Sequence, residues 1–370
     1  MSTKQKVIVG LSGGVDSSVA AYLLKQQGYE VTGVTMTIWD GAYSATGKHA
    51  CYGSDEQEEI SEAREFAGMI GIPFHVFDCS LRYKDKVLEY FKREYLSGRT
   101  PNPCIQCNQW IKFGMLPQMA REEGLPFDYF ATGHYAKVEW NEDFNRFVLR
   151  RSTDPKKDQT YFIHRLSQEQ LSKVLFPLGN MTKTQVREIA KEISLPLYEK
   201  EESQDFYSGE YKDLLDLEDQ PGDIVDLKGN ILGHHQGIWN YTIGQRKGLG
   251  IAFSEPLYVI SLNKEKNQVV AGIRDEALNT SFLVEDLNWI AIGNLATSMD
   301  LEVKIRSASK SVTSLVEPFK NNLVKVTLQT PSEGITPGQS AVFYQDDIVF
   351  GGGTIQKVLQ NISIEHEIHL

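Results

Sequence analysis

The sequence predicts an N-terminal α/β domain with a parallel sheet, followed by smaller β-rich modules. The β-branched run at residues 7–9 leads into a glycine-rich stretch at residues 10–18, and an apolar-periodic segment then continues to Gly28. That order indicates strand, turn and helix. Beyond residue 205 short runs rich in Gly, Asp, Val and Ile replace the helical patterns, and from about residue 257 alternating segments suggest a β-barrel.

Composition limits the classes of protein that the chain can belong to. The 370 residues are 41% hydrophobic and 24% charged, which is typical of water-soluble proteins with two or three domains. Without a signal-like N-terminus or a run of about 20 apolar residues, we expect a cytoplasmic protein with no membrane partner. The net charge of −11 argues mildly against a nucleic-acid partner, but local basic patches decide that question. Four cysteines are too few for a disulfide scaffold and are expected to do chemistry.

The glycine-rich stretch predicts a phosphate-binding loop. Two adjacent glycines allow close backbone approach to a ligand, and Asp16, Ser17 and Ser18 suit the start of a helix, where N–H groups bind anions. A Walker loop would need a Lys before the Ser, and a Rossmann turn would space its glycines differently. The spelling S-G-G-x-D-S resembles that of the PP-loop ATP pyrophosphatases. The predicted nucleotide-binding residues here are Gly10, Leu11, Ser12, Gly13, Gly14, Val15, Asp16 and Ser17.

Later strands should end at the same edge of the parallel sheet as this loop. A second strand at residues 30–36 ends at Met36, which could pack against a nucleobase or fill the core. A third strand covers residues 73–78, and a fourth, at residues 127–135, runs into a turn at Gly133. His134 follows that turn and is a candidate functional residue as well as a candidate structural one. Amphipathic helices are predicted around residues 60–70 and 83–96.

Residues 98–108 are predicted to form a proline-stiffened loop, with the next helix at about residues 109–123. The loop contains the C-x-x-C pair Cys104 and Cys107, whose spacing suits one disulfide or one metal ion. A closed zinc site would need a second Cys or His pair, and the sequence has none. A redox or sulfur-handling role is therefore the better interpretation.

The densest basic patch of this acidic chain lies at residues 146–157, where five Lys or Arg accompany one Asp. A solvated loop would explain the patch, and so would contact with an RNA backbone. Helices are predicted from there to about residue 200, with Thr182 as a cap, and residues 222–233 are predicted to form a hairpin.

Taken together, the motifs resemble those of the tRNA-specific 2-thiouridylase family. The matches span residues 6 to about 356 and are S-G-G-V-D-S-S, G-R-T-P-N-P-x-x-x-C-N, A-T-G-H-Y, K-D-Q-T-Y-F, S-Q-D, H-x-G-x-x-x-Y-T-I-G-Q-R-K-G-L-G, T-P-G-Q-S-A-V-F-Y and G-G-G-T-I. The resemblance implies a nucleotide α-hydrolase domain at residues 1–205, a small central domain at residues 206–275, a barrel at residues 276–357 and a tail at residues 358–370. Residues 362–370 are expected to be mobile.

The resemblance also implies a reaction and its residues. Sulfur would replace O2 of the wobble uridine, position 34, in tRNAs for Lys, Glu and Gln, with ATP and Mg²⁺ activating the oxygen and a sulfur-donor protein or sulfide as partner. Cys107 matches the nucleophile, Asp16 belongs to the catalytic set, and Met36 and Gly133 match positions near the adenosine. The positions that match tRNA contacts are Asn102, Pro103, Cys104, His134, Lys157, Asp158, Gln159, Arg306, Ser307 and Gln339.

One position departs from the family pattern. S-Q-D is usually followed by an apolar residue and then a cysteine that carries the persulfide, but this chain has Tyr207 there. Three other ways to deliver the sulfur without a cysteine at this position are open. Cys104 could act as the partner thiol of Cys107. The pair could instead ligate an iron–sulfur cluster, with Cys51 or Cys79 as a third thiolate. Finally, an external donor or free sulfide could react with the adenylate directly.

Two other functions remain as alternatives. The chain could be a tRNA-binding protein of the same fold that no longer thiolates, although such a protein would need neither the phosphate loop nor Cys107. It could also be a related adenylating enzyme with another substrate, which the barrel and the basic patch disfavour. We expect a monomer.

Overall fold

The computed structural model describes residues 4–41, 50–195, 205–207, 209 and 211–359. Ser203 and Gln204 of the S-Q-D motif and the expected mobile tail at residues 362–370 lie outside the described residues. Within the described ranges, none of the helices has the length and apolar character needed to cross a membrane.

The strands of the described residues fall into four sheets. In chain order they are β1 Lys6–Gly10, β2 Glu30–Thr37, β3 Ala50–Tyr52, β4 Phe74–Asp78, β5 Tyr129–Ala131, β6 Ala136–Asn141, β7 Arg146–Arg151, β8 Val174–Leu175, β9 Asp205–Tyr207, β10 Gly222–Val225, β11 Ile231–His235, β12 Tyr258–Asn263, β13 Gln268–Gly272, β14 Asn279–Trp289, β15 Met299–Lys304, β16 Val312–Phe319, β17 Leu323–Ser332, β18 Ser340–Gln345 and β19 Ile348–Leu359.

Helices cover one N-terminal sheet and connect the others. The α-helices are α1 Val15–Gln26, α2 Glu56–Met69, α3 Ser80–Tyr83, α4 Glu89–Leu96, α5 Pro103–Gln106, α6 Leu116–Glu122, α7 Thr160–Ile163, α8 Gln168–Leu171, α9 Lys183–Glu192, α10 Tyr211–Leu215 and α11 Arg274–Ala277. Two π-helical segments, Lys84–Leu88 and Cys107–Met115, and a 3₁₀ turn at Ile238–Asn240 complete the set.

The predicted parallel α/β domain is confirmed. Its sheet has the order β4-β2-β1-β5-β8, and every strand pair in it is parallel. Val7, Ile8 and Val9 are at most 1% exposed, as expected for a strand covered on both faces. In such a sheet the carboxyl ends of the strands form one edge, where ligands bind. The structure adds β8 to the predicted strands, within a region predicted to be helical.

The C-terminal barrel and the central β-rich region are also confirmed. Strands β14, β17, β16, β15, β18 and β19 follow one another, and a pairing of β14 with β19 closes the ring. The central sheet has the order β11-β10-β13-β12, and β10 and β11 form the predicted hairpin. Residues 323–327, predicted as a strand from their alternating pattern, lie in β17, and every second one of them is buried.

The first part of the basic patch is strand β7, Arg146–Arg151, and two of its arginines form ion pairs within the protein. The β6–β7 hairpin extends the barrel sheet through β19. The Arg150 guanidinium lies 2.6 Å from an Asp347 carboxylate oxygen, and that of Arg151 lies 3.0 Å from one of Glu302. Arg146 donates to a backbone carbonyl 144 residues away. A solvated loop therefore does not explain residues 146–151, because these arginines contact other parts of the protein, and contact of the patch with RNA stays a prediction.

The prediction of a loop through residue 108 was wrong, since the helix begins at Pro103. Asn102 is its N-cap and accepts a hydrogen bond from the Ile105 backbone N–H at 3.4 Å. Proline fits the first helical position, where its missing N–H would have no helical partner in any case. Both cysteines of the C-x-x-C pair therefore lie on a helix, which runs on through Cys107–Met115 and α6.

Candidate active site

The predicted phosphate loop joins β1 to α1, and its own serines shape it. Ser17 Oγ donates to the Gly14 carbonyl at 3.1 Å and accepts from the Ser12 N–H at 3.2 Å. Gly13 has a φ of +70°, and a Cβ there would lie 2.6 Å from the Glu59 carbonyl oxygen, so glycine is required. The cap of α1, Gly14, has no side chain to cover the first turn. The N–H groups of that turn can therefore bind an anion.

Asp16, in the first turn of α1, is held by two side chains that the sequence analysis did not single out. Lys183 Nζ lies 2.8 and 2.9 Å from the two carboxylate oxygens, and the Tyr135 hydroxyl donates to Oδ1 at 2.8 Å. Tyr135 belongs to the A-T-G-H-Y motif, but Lys183 follows a helix cap and gives no sequence signal of function. A carboxylate beside a phosphate loop is the ligand type that Mg²⁺ prefers.

The turn after β5 connects this loop to the cysteine helix. A Cβ at Gly133 would lie 2.7 Å from the Asp16 carbonyl carbon and the Ser17 nitrogen, so the turn rests directly on the start of α1. The next residue, His134, has its ring 5.5 Å from that of Phe113 in the segment Cys107–Met115. Gly133 is thus a close neighbour of the phosphate loop, and His134 of the cysteine helix.

His134 is held as a neutral ring. Its Nδ1 lies 2.8 Å from Thr132 Oγ1, and its ring packs between those of Phe113 and Phe176. Burial, and then the nearby Lys112 ammonium, lower the pKa of His134 well below its ordinary value. The ring can offer a hydrogen bond to a base, but it carries no positive charge near neutral pH.

Met36 lies near the end of β2, at the ligand-binding edge of the sheet. It is half-buried and pairs in register with Phe77 of β4. The residues that follow Met36 and Phe77 form a polar contact between the two strands. Thr37 Oγ1 donates a hydrogen bond to Asp78 Oδ1 at 3.3 Å. The edge thus offers an apolar side chain beside hydrogen-bonding groups, which suits a nucleoside.

Cys104 and Cys107 lie three residues apart, on one side of the helix, and both are half-buried. Burial raises the pKa of Cys107 to about 11, while Lys112 lowers it and Cys51 raises it. From Cys107 the helix is π-helical, and its wider turn brings residues five apart closer to one face than an α-helix would. Lys112 is five residues after Cys107, so this local geometry brings an ammonium toward the thiol.

Tyr207 is a core residue. It is 3% exposed, and its ring centroid lies 6.3 Å from that of Tyr52, which stacks on Tyr83 at 5.4 Å. The strand β9 that carries it pairs in parallel with β3, which places the exposed Cys51 one position from its partner residue Tyr52. A Cβ at Gly209 would lie 2.5 Å from the Tyr207 ring, so the glycine leaves room for the phenol.

Within the part of the chain that the structure describes, the cysteines do not gather into a metal centre. Across the described ranges, no group of three or more His, Cys, Asp or Glu is placed to hold a metal ion. Cys79 is 1% exposed, and burial, Asp78 and Cys107 together raise its pKa to about 12. Among the described residues, no third ligand for an iron–sulfur cluster is grouped with Cys104 and Cys107.

The segment predicted to contact tRNA, Lys157 to Gln159, is tied to the phosphate-loop region. The Gln159 side-chain Oε1 accepts a hydrogen bond from the Tyr135 backbone N–H at 2.9 Å. The Gln159 backbone N–H donates to the Tyr135 carbonyl at 3.0 Å. Asp158 accepts from the Thr160 hydroxyl at 2.8 Å. Lys157 is half-buried at the surface. The side chains of Asp158 and Gln159 are thus engaged within the protein.

Gln339, also predicted to face tRNA, fixes the loop before the cysteine helix. Its Nε2 donates to the backbone carbonyls of Thr100 and Pro101 at 3.0 and 3.2 Å. The Thr100 N–H in turn donates to the Pro337 carbonyl at 2.9 Å. The barrel therefore holds the entrance to the C-x-x-C helix from more than 230 residues away in sequence.

Arg306 and Ser307 lie at the end of the barrel nearest the central region. The Arg306 guanidinium donates to the carbonyls of Gly334 and Ile243 and to the Thr336 hydroxyl. Ser307 is exposed. The structure thus gives Arg306 a role in joining the barrel to the central region, and the predicted RNA contact of both residues stays a prediction.

Comparison with known proteins supplies the family context. Three family models match consecutive parts of the chain: a tRNA methyl transferase HUP domain at residues 5–207, a tRNA methyl transferase PRC-barrel domain at residues 214–272, and an aminomethyltransferase β-barrel domain at residues 279–355.

Curated relatives match over nearly their whole length. A protein of Endomicrobium trichonymphae named tRNA-specific 2-thiouridylase MnmA is 49% identical over 360 residues, covering 96% of this chain and 100% of the relative. Proteins of the same name from Desulforamulus reducens and Clostridium perfringens are 44% and 46% identical. They cover 97% and 96% of this chain, and the matches include 99% and 100% of the relatives.

Proposed function

Because this chain belongs to the tRNA-specific 2-thiouridylase family, we propose that it is an ATP-dependent tRNA-uridine 2-sulfurtransferase. It replaces O2 of the wobble uridine, position 34, with sulfur in tRNAs for Lys, Glu and Gln, and it acts in the cytoplasm as a monomer. The observation that carries the proposal is the turn at Gly133 and His134, which rests on the phosphate loop on one side and on the cysteine helix on the other.

The first step makes the uridine oxygen a leaving group. O2 attacks the α-phosphate of ATP, the bond to the β-phosphate breaks, and pyrophosphate leaves with the electron pair. The first-turn N–H groups of α1 stabilise the charge that develops on the phosphates. Asp16 is the residue that would hold Mg²⁺ here, and the ion would supply further positive charge to the phosphates when bound. The names of the matched family domains mention methyl transfer. That reaction would not require ATP cleavage at this loop.

The second step delivers sulfur. Cys107 carries a persulfide received from a sulfur-donor protein, and its terminal sulfur attacks C2 of the uridine and displaces AMP. The Cys104 thiolate then attacks Cys107 Sγ, the bond between Cys107 and the transferred sulfur breaks, and sulfur stays on the base. A cellular dithiol reduces the resulting Cys104–Cys107 disulfide. The position of the two thiols three residues apart on one helix supports this pairing.

Two further sulfur routes stay open within this proposal. An iron–sulfur cluster on Cys104 and Cys107 would need a third ligand from elsewhere, and free sulfide could react with the adenylate without Cys104. Anaerobic purification followed by an absorbance scan separates these routes, since a colourless, iron-free and active preparation removes the cluster.

The test of function is mass spectrometry of tRNA nucleosides. A strain lacking its own 2-thiouridylase is complemented with this chain or with its Tyr207→Cys variant, and 2-thiouridine derivatives are quantified. Recovery of 2-thiouridine with the natural chain supports the proposal. The buried Tyr207 favours one alternative, a tRNA-binding protein that no longer thiolates, and recovery with Tyr207→Cys alone would establish that alternative.

A further inference from the structure

Lys183 is a buried cation at the phosphate loop. The residue is 9% exposed, and its ammonium makes contacts of 2.8 and 2.9 Å with both oxygens of Asp16. Burying an ammonium is costly unless a negative charge and hydrogen bonds compensate for the lost water. Asp16 gives that compensation, and the pair lies against the first turn of α1.

The position of Lys183 is fixed by its surroundings. It is the first residue of α9, whose cap Thr182 forms a capping box with Gln185. Its backbone N–H donates to Asp154 Oδ2 at 3.0 Å, and α9 packs against α1. The start of α9 and the Lys183 side chain are therefore both fixed by hydrogen bonds. The ammonium points at the phosphate loop rather than at solvent.

The electrostatics of the loop require a cation at this place. A triphosphate that binds the first-turn N–H groups of α1 comes close to the Asp16 carboxylate, which repels it. Lys183 neutralises that carboxylate, and its ammonium, placed beside the first turn of α1, would attract the phosphates as well.

We propose that Lys183 is a phosphate-binding residue of the ATP site, with Asp16 holding it in place before the nucleotide arrives. The inference rests on the proposed function only in taking ATP as the occupant of the loop. It assigns to Lys183 the recognition of the polyphosphate, as distinct from the adenosine, whose predicted contacts are Met36 and Gly133.

The test compares nucleotides that differ in their phosphates. Calorimetry with the full-length protein measures the affinity for adenosine and for an ATP analogue with a methylene group between the α- and β-phosphates. In Lys183→Met we expect the analogue to bind about 10- to 100-fold more weakly, with adenosine affinity within about twofold of wild type. Lys183→Arg, which keeps the charge, should recover part of the loss. Arg187→Ala, an exposed site on the same helix, is the matched control.

The outcomes separate binding from folding. Lys183→Met leaves Asp16 without its cation, so its melting temperature is measured beside that of Asp16→Asn/Lys183→Met, in which the charge is removed on both sides. Unchanged affinity for the analogue overturns the proposal, and so does an equal loss of affinity for adenosine and analogue. A wild-type protein that binds the analogue but makes no 2-thiouridine would refute the proposed function and leave the role of Lys183 standing.

Discussion

The two halves of the candidate active site are built in different ways. The phosphate loop takes its shape from residues within a few positions of one another, such as the contacts of Ser17 with Gly14 and Ser12. The cysteine helix depends on distant parts of the chain, since Gln339 of the barrel fixes the loop before it. The loop backbone of the phosphate half is thus local, although Lys183 and Tyr135 reach its Asp16 from far along the chain, and the cysteine half is assembled.

This difference has a chemical counterpart. Adenylation needs N–H groups and a carboxylate at fixed places, which one strand–turn–helix unit supplies with Lys183 and Tyr135 holding the carboxylate. Sulfur transfer needs a thiol placed next to one base of a large RNA. Several structural elements must together fix the position of that thiol. If the halves are separable in this way, substitutions in the cysteine half should spare adenylation, whereas substitutions in the phosphate half should abolish both steps.

The largest effect is expected for Cys107→Ser. A serine hydroxyl cannot carry a persulfide, so 2-thiouridine formation should fall by at least about 1,000-fold. Release of pyrophosphate that depends on tRNA should stay within about threefold of wild type, because the phosphate half is untouched. Mass spectrometry of nucleosides and a pyrophosphate assay on the same samples measure both steps.

The exposed Cys51 gives the control for this variant. Cys51→Ser should keep thiolation near the wild-type rate. Full thiolation by Cys107→Ser would show that another thiol or free sulfide delivers the sulfur, and equal loss of both steps would show that the halves are not separable.

Asp16→Asn should give the next largest effect. The amide keeps the shape of the side chain but loses the charge that holds Lys183 and that a metal ion requires. We expect pyrophosphate release and thiolation to fall together, by about 100-fold. Tyr135→Phe removes only the hydroxyl contact with Asp16 and serves as the mild comparison, with a loss of about five- to tenfold. A variant Asp16→Asn that still adenylates but does not thiolate would contradict the division of labour.

The strand, turn and helix around the phosphate loop were predicted far better than the contacts of the cysteine helix. Residues 10–17 were predicted to bind phosphate because glycine, serine and aspartate in that order have few other uses between a strand and a helix. Lys183 and the support from Gln339 could not be found in this way, because pairing over 167 and more than 230 residues leaves no local pattern. The start of the helix at Pro103 was missed because proline was taken as a loop residue although it also suits the first turn.

A third prediction concerns the reactivity of Cys107 in the protein without RNA. Burial raises its pKa to about 11, so at pH 8 only about 0.1% of the thiol is the reactive thiolate. Its alkylation rate should therefore rise about tenfold per pH unit from pH 7 to 10, with no plateau in that range. Lys112→Met removes a charge that lowers this pKa, and the rate at each pH should fall by a few fold. Peptide mass spectrometry after timed iodoacetamide treatment distinguishes Cys107 from the exposed Cys51. A plateau below pH 9 would contradict the raised pKa.

Gln339→Ala tests how strongly the assembled half depends on the barrel. The substitution removes two hydrogen bonds from a half-buried amide to the loop before the cysteine helix, a cost of about 1–3 kcal/mol in the fixing of that loop. Thiolation should fall by about five- to tenfold while pyrophosphate release changes by less than twofold, because the Gly133 turn still rests on α1. The exposed Gln345 at the end of β18 offers a matched control on the same barrel. A direct contact of Gln339 with tRNA would instead weaken tRNA binding and lower both steps together, so the ratio of the two rates decides between a support for the helix and a contact with RNA.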